Sequence, residues 1–326
     1  MIFVTGASGL IGSFICKKLI KEGYVVKALK RHHSDLSLVQ EVAERIHWVE
    51  GDLLNISEVE GYLEGVDKII HCAAFVSYSK RDEELLYQIN VEGTANLVNW
   101  AITKKIKLFL HLSSVASIGK DKHSVVSNED TKWTNDTKKT TYAQSKHQSE
   151  LEVWRGWAEG LNTIIINPSL VLGPGNWHKS STQLFKYIAE ENRFYTRGIV
   201  NYVDVRDVAE VTLRLLESER YGHRYIVNAG SVAYKELFEK IAAKMGKKAP
   251  SVLVSGVAIK LAIFVEKTRS RLSGRDPVVT DELEQVSKNQ HVYANEKIKK
   301  EIGIQFNDLD ETLSWTTLQL LDKSSL

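Results

Sequence analysis

The stretch whose reading decides the fold is Thr5-Gly6-Ala7-Ser8-Gly9-Leu10-Ile11-Gly12. It follows the apolar run Ile2–Thr5 and opens a segment in which Leu10, Ile11, Phe14, Ile15 and Leu19 recur at helical spacing. The pattern predicts a strand, a glycine turn and a helix. Such a turn brings backbone N–H groups and a helix N-terminus against a pyrophosphate, an approach that a Cβ would block. Gly6, Ser8, Gly9, Leu10, Ile11 and Gly12 are therefore the expected phosphate cradle. At this glycine content the three-glycine spacing arises by accident only about 0.07 times per chain. The middle glycine comes one residue later than in G-x-G-x-x-G, and an ordinary strand–helix turn is the plain alternative.

Working outward, strand and helix patterns alternate. Residues 24–30 and 46–50 read as strands, 56–64 as a short helix and 66–72 as a strand. A long helix over 83–104 follows, then a strand at 107–113, a helix at 140–159 and a strand at 162–167. This alternation implies βαβ units, and right-handed crossovers give an α/β fold with a doubly wound parallel (Rossmann) sheet. Beyond residue 170 the rhythm changes. Segments 179–191, 205–218, 234–246, 252–270 and 308–322 read as helices with short strand-like pieces between them. The expectation is a dinucleotide-binding domain over 1–170. A smaller, mainly helical substrate-binding part over 171–326 would send segments back to it.

Composition narrows the function classes. The chain of 326 residues is 43% apolar and 26% charged, with a formal charge of +2. These values fit a globular protein and argue against nucleic acid as the main partner. Two cysteines, Cys16 and Cys72, make no disulfide framework and fit a reducing cytosol. The longest uncharged run, 161–178, contains Asn, Pro and Gly and reads as a strand and loop, not a membrane span. MIFVTG has no basic n-region, so no signal peptide and a cytoplasmic location are expected. The ten histidines show no metal-ligand spacing beyond His32-His33, so no metal is expected.

The end of the second strand sorts one dinucleotide from another. A carboxylate there binds ribose hydroxyls, whereas a basic group accommodates a 2′-phosphate. The sequence reads Ala28-Leu29-Lys30-Arg31-His32-His33, and the next acid, Asp35, suits a helix cap. Lys30 and Arg31 favour NADP(H), with NAD(H) open; a solvated basic loop is the alternative. After the third strand, Asp52 is placed to accept from an adenine amino group while Leu53 packs on the ring.

Tyr142 and Lys146 in Tyr142-Ala143-Gln144-Ser145-Lys146 share one helix face. A nearby ammonium favours phenolate, and moving a tyrosine pKa from about 10 to about 7 takes roughly 4 kcal/mol. That would fit the phenol for proton transfer near neutral pH. The spacing alone says little, since Tyr293 and Lys297 repeat it. Context favours the first pair. Tyr142 follows His111-Leu112-Ser113-Ser114, a strand ending in hydroxyls where α/β sheets bind ligands.

In order along the chain, TGASGLIG (5–12), GDL (51–53), HCAA (71–74), NVEGTANL (90–97), SSVASIG (113–119), YAQSK (142–146), NPSLVLGPG (167–175) and YVDVRDVAEV (202–211) resemble the extended short-chain dehydrogenase/reductases. These belong to the NAD(P)-dependent epimerase/dehydratase superfamily. GYVVKALKR at 23–31, the 252–270 segment and the tail 274–303 are similar to its dihydroflavonol-reductase/steroid-dehydrogenase-like branch. The resemblance implies Ser114 as the catalytic hydroxyl, Tyr142 as acid/base and Lys146 as the lysine that also holds the nicotinamide ribose. It places Ala73 and Ala74 along the cofactor and the backbone near Pro168 beside the nicotinamide. Asn167 stands where many relatives have arginine, and Ile118 where nucleotide-sugar epimerases commonly have an aromatic; both departures count against a nucleotide-sugar substrate.

The expected activity is NADPH-dependent reduction of a carbonyl group in a small or medium substrate. An epimerase or dehydratase retaining NAD is the alternative within enzymes, and a non-catalytic NADP-binding sensor or scaffold the alternative outside them. Tyr78, Trp177, His178 and Arg197 are expected near the substrate, in the loops 75–82 and 173–180 and the segment 193–202. The partners implied are a small molecule and, left open, a second copy in a homodimer.

Overall fold

Seven parallel strands form the central sheet. The computed structural model describes residues 1–77, 79–120, 124–134, 139–254 and 290–324. Strands β1 (Ile2–Thr5), β2 (Val26–Lys30) and β3 (Ile46–Glu50) alternate with helix α1 (Leu10–Lys21) and a 3₁₀ stretch over Ser37–Arg45. The chain continues through α2 (Ile56–Tyr62) to β4 (Lys68–His71), then α3 (Glu83–Tyr87), a π turn at Gln88–Glu92 and α4 (Gly93–Thr103). Next come β5 (Leu108–Leu112), a 3₁₀ turn at Val115–Ser117, the short β6 (Val126–Ser127), α5 (Thr141–Ala158), β7 (Thr163–Pro168) and β8 (Leu170–Leu172). The helix expected over 83–104 thus has a π turn in its middle.

The later part contains α6 (Thr182–Ala189), β9 (Phe194–Tyr195), β10 (Ile199–Asp204), α7 (Val205–Leu216), β11 (His223–Val227), β12 (Gly230–Ala233) and α8 (Tyr234–Met245). It closes with β13 (Val252–Leu253), β14 (Val292–Tyr293), α9 (Glu296–Ile302) and α10 (Leu309–Ser324). The large sheet runs β11-β7-β5-β4-β1-β2-β3, and every pairing in it is parallel. The direction of winding reverses between β1 and β4, so their carboxyl ends flank the switch point where such sheets bind ligands.

Burial explains the strands. Phe3, Val4, Ile69, Ile70, Phe109, Leu110, Ile164 and Ile165 are wholly buried, as a sheet covered on both faces requires. One face packs under α1 and α7, the other under α4 and α5. Strand β11 and helix α7 come from beyond residue 170 yet complete the first layer. Among the described residues the rest of that region is mainly helical, and its short strands include the three-stranded sheet β12-β10-β8 over a core that includes Phe185, Val200, Leu237 and Leu313. The helix expected over 252–270 begins instead as a strand, with Val252 and Leu253 paired in parallel to Phe194 and Tyr195. The remainder of that segment, the tail up to residue 289 and Tyr78 lie outside the described residues.

Candidate active site

The glycine turn sits at the switch point. Gly6 has φ of +69°, and a Cβ there would come within 2.6 Å of the Ala73 nitrogen, so the turn lies directly on the chain leaving β4. A Cβ on Gly12 would stand 2.2 Å from the Gly6 carbonyl oxygen. Only hydrogen at both positions lets the first turn of α1 close on the loop. Gly9 precedes that helix without a side-chain cap, and no acidic residue lies in its first turn. A helix N-terminus kept clear of carboxylates suits a pyrophosphate. The loop Gly173-Pro174-Gly175 is buried beside it, and a Cβ on Gly173 or Gly175 would meet Leu10 within 3.4 or 3.6 Å.

Lys146 occupies the second half of the site. Thr140 caps α5 by accepting the Ala143 N–H at 3.0 Å, which sets the helix start at Thr141, one residue before Tyr142. One turn on, Lys146 is 1% exposed, and its Nζ donates to the carbonyl of Leu112 at 3.0 Å. Burial pushes its pKa down to about 8, against an opposing pull from Glu150. Leu112 ends β5, so the ammonium lies at the strand end that leads into Ser113 and Ser114. The Ser114 Oγ accepts the Ala116 N–H at 3.1 Å. That contact occupies a lone pair and leaves the hydroxyl proton available to donate.

The model of the NAD dependent epimerase/dehydratase family matches residues 2–230. The chain belongs to that family.

Among its relatives, a Synechocystis sp. protein named for dihydroflavonol 4-reductase is 28% identical over 319 residues, covering 96% of this chain and 92% of that protein. Cinnamoyl-CoA reductase 1 of Petunia hybrida is 26% identical, covering 100% of this chain and 93% of its own. The crystal structure of gox2253 superposes with a TM-score of 0.85 at 29% identity, covering 99% of this chain and 98% of that one. Yeast methylglyoxal/isovaleraldehyde reductase Gre2, solved with NADPH, superposes at 0.76 with 21% identity and 99% coverage of both chains. The family is described as NAD dependent, and the cradle described above fits a nicotinamide dinucleotide.

Other family-type positions fall where the topology puts them. The Ala73 N–H donates to Thr5 Oγ1 at 3.2 Å, while Ala74 is exposed beyond it. Pro168 is buried at the end of β7. Leu53 is buried, and Asp52 Oδ1 accepts the Leu54 N–H at 2.9 Å, leaving its second oxygen for another donor. Asp35 serves as a cap, accepting the Ser37 N–H at 3.0 Å where the 3₁₀ stretch begins. Lys30 pairs with Glu50 at 2.9 Å, and the same carboxylate meets His32 Nδ1 at 2.7 Å. Arg31 is exposed next to this cluster. Trp177 packs, half-buried, against the core of the later part; His178 Nδ1 meets Lys186 Nζ at 2.9 Å on the surface; and Arg197 is exposed between β9 and β10.

Several participants escaped the sequence reading. Glu50 stands 20 residues from Lys30, but the β2–β3 register places them side by side. Buried Asn90, within the π turn, holds both the N–H and the carbonyl of Phe75, at 2.7 and 2.9 Å, and donates to Ser145 Oγ at 3.0 Å. It therefore joins the loop after β4 to α5. The NVEGTANL motif contains it but says nothing of this role. His71 is enclosed by Thr5 Oγ1 at 2.7 Å and Thr94 Oγ1 at 3.0 Å, and burial pushes its pKa down to about 3. Because Thr94 Oγ1 donates to the Asn90 carbonyl at 2.6 Å, His71 carries its proton on Nε2 and accepts on Nδ1.

Proposed function

We propose that this protein is an NADPH-dependent reductase of a carbonyl group in a small or medium substrate. The observation that carries the reading is the buried Lys146 ammonium on the Leu112 carbonyl, on the helix of Tyr142 and at the strand end that leads to Ser114. A bound nicotinamide dinucleotide would supply the hydride. Tyr142 gives its phenolic proton to the carbonyl oxygen as that oxygen gains charge. Lys146 favours the resulting phenolate electrostatically. The Ser114 hydroxyl donates to the same oxygen and orients it. The reductase names of the two sequence relatives support this direction of chemistry.

NADP(H) preference rests on Arg31, since Glu50 already engages Lys30. The substrate would pack against the loop 173–180 and the segment 193–202, with Trp177 as an apolar wall and His178 and Arg197 at its rim. Two measurements test the reading together. Purified protein should oxidise NADPH in the presence of some members of a panel of aldehydes and ketones, and Arg31→Ala should raise the Kd for NADPH more than that for NADH. Equal losses for both cofactors overturn the NADP(H) assignment. Tightly co-purifying NAD+, with turnover of nucleotide sugars and of no simple carbonyl, overturns the reductase in favour of an epimerase or dehydratase.

A further inference from the structure

One buried charge beside the site has no part in the chemistry above. Glu150 lies four residues beyond Lys146 on α5 and is 1% exposed. Its Oε1 stands 2.5 Å from Ser117 Oγ and 2.5 Å from Asn167 Nδ2, and its Oε2 is 3.5 Å from Arg224 Nη1. A carboxylate taken wholly out of water persists only with donors and an opposite charge around it, and these three side chains supply both. They come from three separate places, the turn after β5, the end of β7 and β11, and meet the carboxylate on α5. Arg224 also holds the Glu129 carbonyl through Nε at 2.7 Å, and Glu129 Oε1 accepts the Ile226 N–H at 2.9 Å.

The same atoms reach the catalytic serine. Asn167 Nδ2 lies 3.1 Å from the Ser114 carbonyl oxygen and 2.9 Å from Ser117 Oγ. Ser117 Oγ is 2.7 Å from that carbonyl, and its N–H donates to it at 3.1 Å. Three side-chain protons, one on Ser117 and two on Asn167, are thus shared between Glu150 Oε1 and the main chain of Ser114. Moving the carboxylate redirects the donors that fix the Ser114 backbone.

We propose that Glu150 and Arg224 are positioning residues for the reaction: their ion pair, acting through Ser117 and Asn167, sets the place of Ser114 relative to the Tyr142–Lys146 helix. This rests on the reductase reading. It also gives the later half of the chain a part in turnover, since Arg224 is anchored on β11. The pair makes its contacts with Ser117, Asn167 and the Glu129 segment and not with the glycine turn or the loop 173–180, so its loss should act on kcat, not on binding.

The test compares Glu150→Gln, Arg224→Met, the double variant and Tyr142→Phe, with kcat expressed per NADPH-binding site. Glu150→Gln and Arg224→Met should each lower kcat about 10- to 100-fold, as a catalytic group displaced by a fraction of an ångström would. KM and the NADPH Kd should stay within a few-fold of wild type. The double variant should lose little more than the worse single one, because both act on one node. Folded single variants with wild-type kcat overturn the proposal, as does a loss confined to KM or a fully additive double variant. If Glu150→Gln binds no NADPH, Ser117→Ala replaces it; this removes one donor without altering charge, and an unchanged kcat there also refutes the node. Should Tyr142→Phe keep full activity, the reductase reading itself fails. An inactive Tyr142→Phe beside a fully active Glu150→Gln sinks only the positioning role.

Discussion

Two regions of this molecule carry Tyr-x-x-x-Lys, and the tertiary structure treats them in opposite ways. Tyr142 and Lys146 lie on one continuous helix, and the lysine is driven into the interior against a backbone carbonyl. Tyr293 and Lys297 share no helix. Tyr293 ends strand β14 and is 7% exposed, packed with Ile118 and Ile226, and burial raises its pKa to about 12. Lys297 is the second residue of α9, donates to the Arg224 carbonyl at 2.9 Å and lies 4.7 Å from the centre of the Tyr225 ring. Spacing of four places two side chains together only where the backbone between them is helical. In the second region a strand end and a helix start, with Asn295 between, separate them.

The difference is also energetic. A lysine whose pKa falls from its ordinary 10.5 to about 8 opposes folding at neutral pH by about 3 kcal/mol. Tyr293, by contrast, adds apolar burial. The first region holds a charge at a cost in stability, whereas the second contributes to the core.

The largest expected effect is on rate. Tyr142→Phe should lower kcat by about 10²- to 10⁴-fold, the usual worth of a proton-transfer group. It should leave the NADPH Kd within a few-fold. Tyr293→Phe should leave kcat unchanged, while Tyr293→Ala should cost about 3 kcal/mol in urea unfolding through the cavity it leaves. A rate loss in Tyr293→Phe would reverse the comparison.

Next in size is a dependence on pH. His71 and His111 lie in the desolvated zone around Lys146, and burial holds both pKa values down, His71 at about 3 and His111 well below the ordinary range. Below pH 6.5 the unfolded chain takes up protons that the folded chain refuses. Stability that is full above pH 6.5 therefore falls as pH is lowered toward 3. At pH 5 His71 should cost about 2 kcal/mol, and His111 should add a loss of the same sign. Replacing His71 with Gln should flatten the difference between urea midpoints at pH 7 and pH 5. A variant with the wild-type slope would show that this zone is wetter than its burial implies.

The smallest effect sharpens the energetic contrast. Lys146→Met removes the buried charge but leaves the Leu112 carbonyl without its donor, a loss of about 1–3 kcal/mol. The apo-protein should be as stable as wild type or up to about 2 kcal/mol more so. It should have no turnover. A clear loss of stability would mean that Lys146 contributes to the fold as well as to the chemistry.

The contrast between the two pairs also shows how much of the site was legible. The glycine turn could be read because its requirements are local: a strand, a tight turn and a helix N-terminus within eleven residues. That Lys146 would lie near the strand end before Ser114 could be expected once that strand was recognised. Glu150 left a cue, standing four residues past Lys146 on the same helix face. Arg224 left none, since it lies 74 residues from the carboxylate it meets.

The amino-acid sequence by itself determined the alternation of strand and helix, the place of the glycine turn and the helix that holds Tyr142 and Lys146. Each depends on residues close together in the chain, where backbone conformation and side-chain period decide the outcome. Tertiary structure alone decided that Glu50 would engage Lys30, that β11 would join the large sheet, and that Asn167 and Arg224 would hold a buried carboxylate under Ser114. It also decided which Tyr-x-x-x-Lys would lie on one continuous helix. These outcomes follow from strand register and from burial, which bring together groups far apart in sequence and remove the water that would otherwise make their charges indifferent to one another.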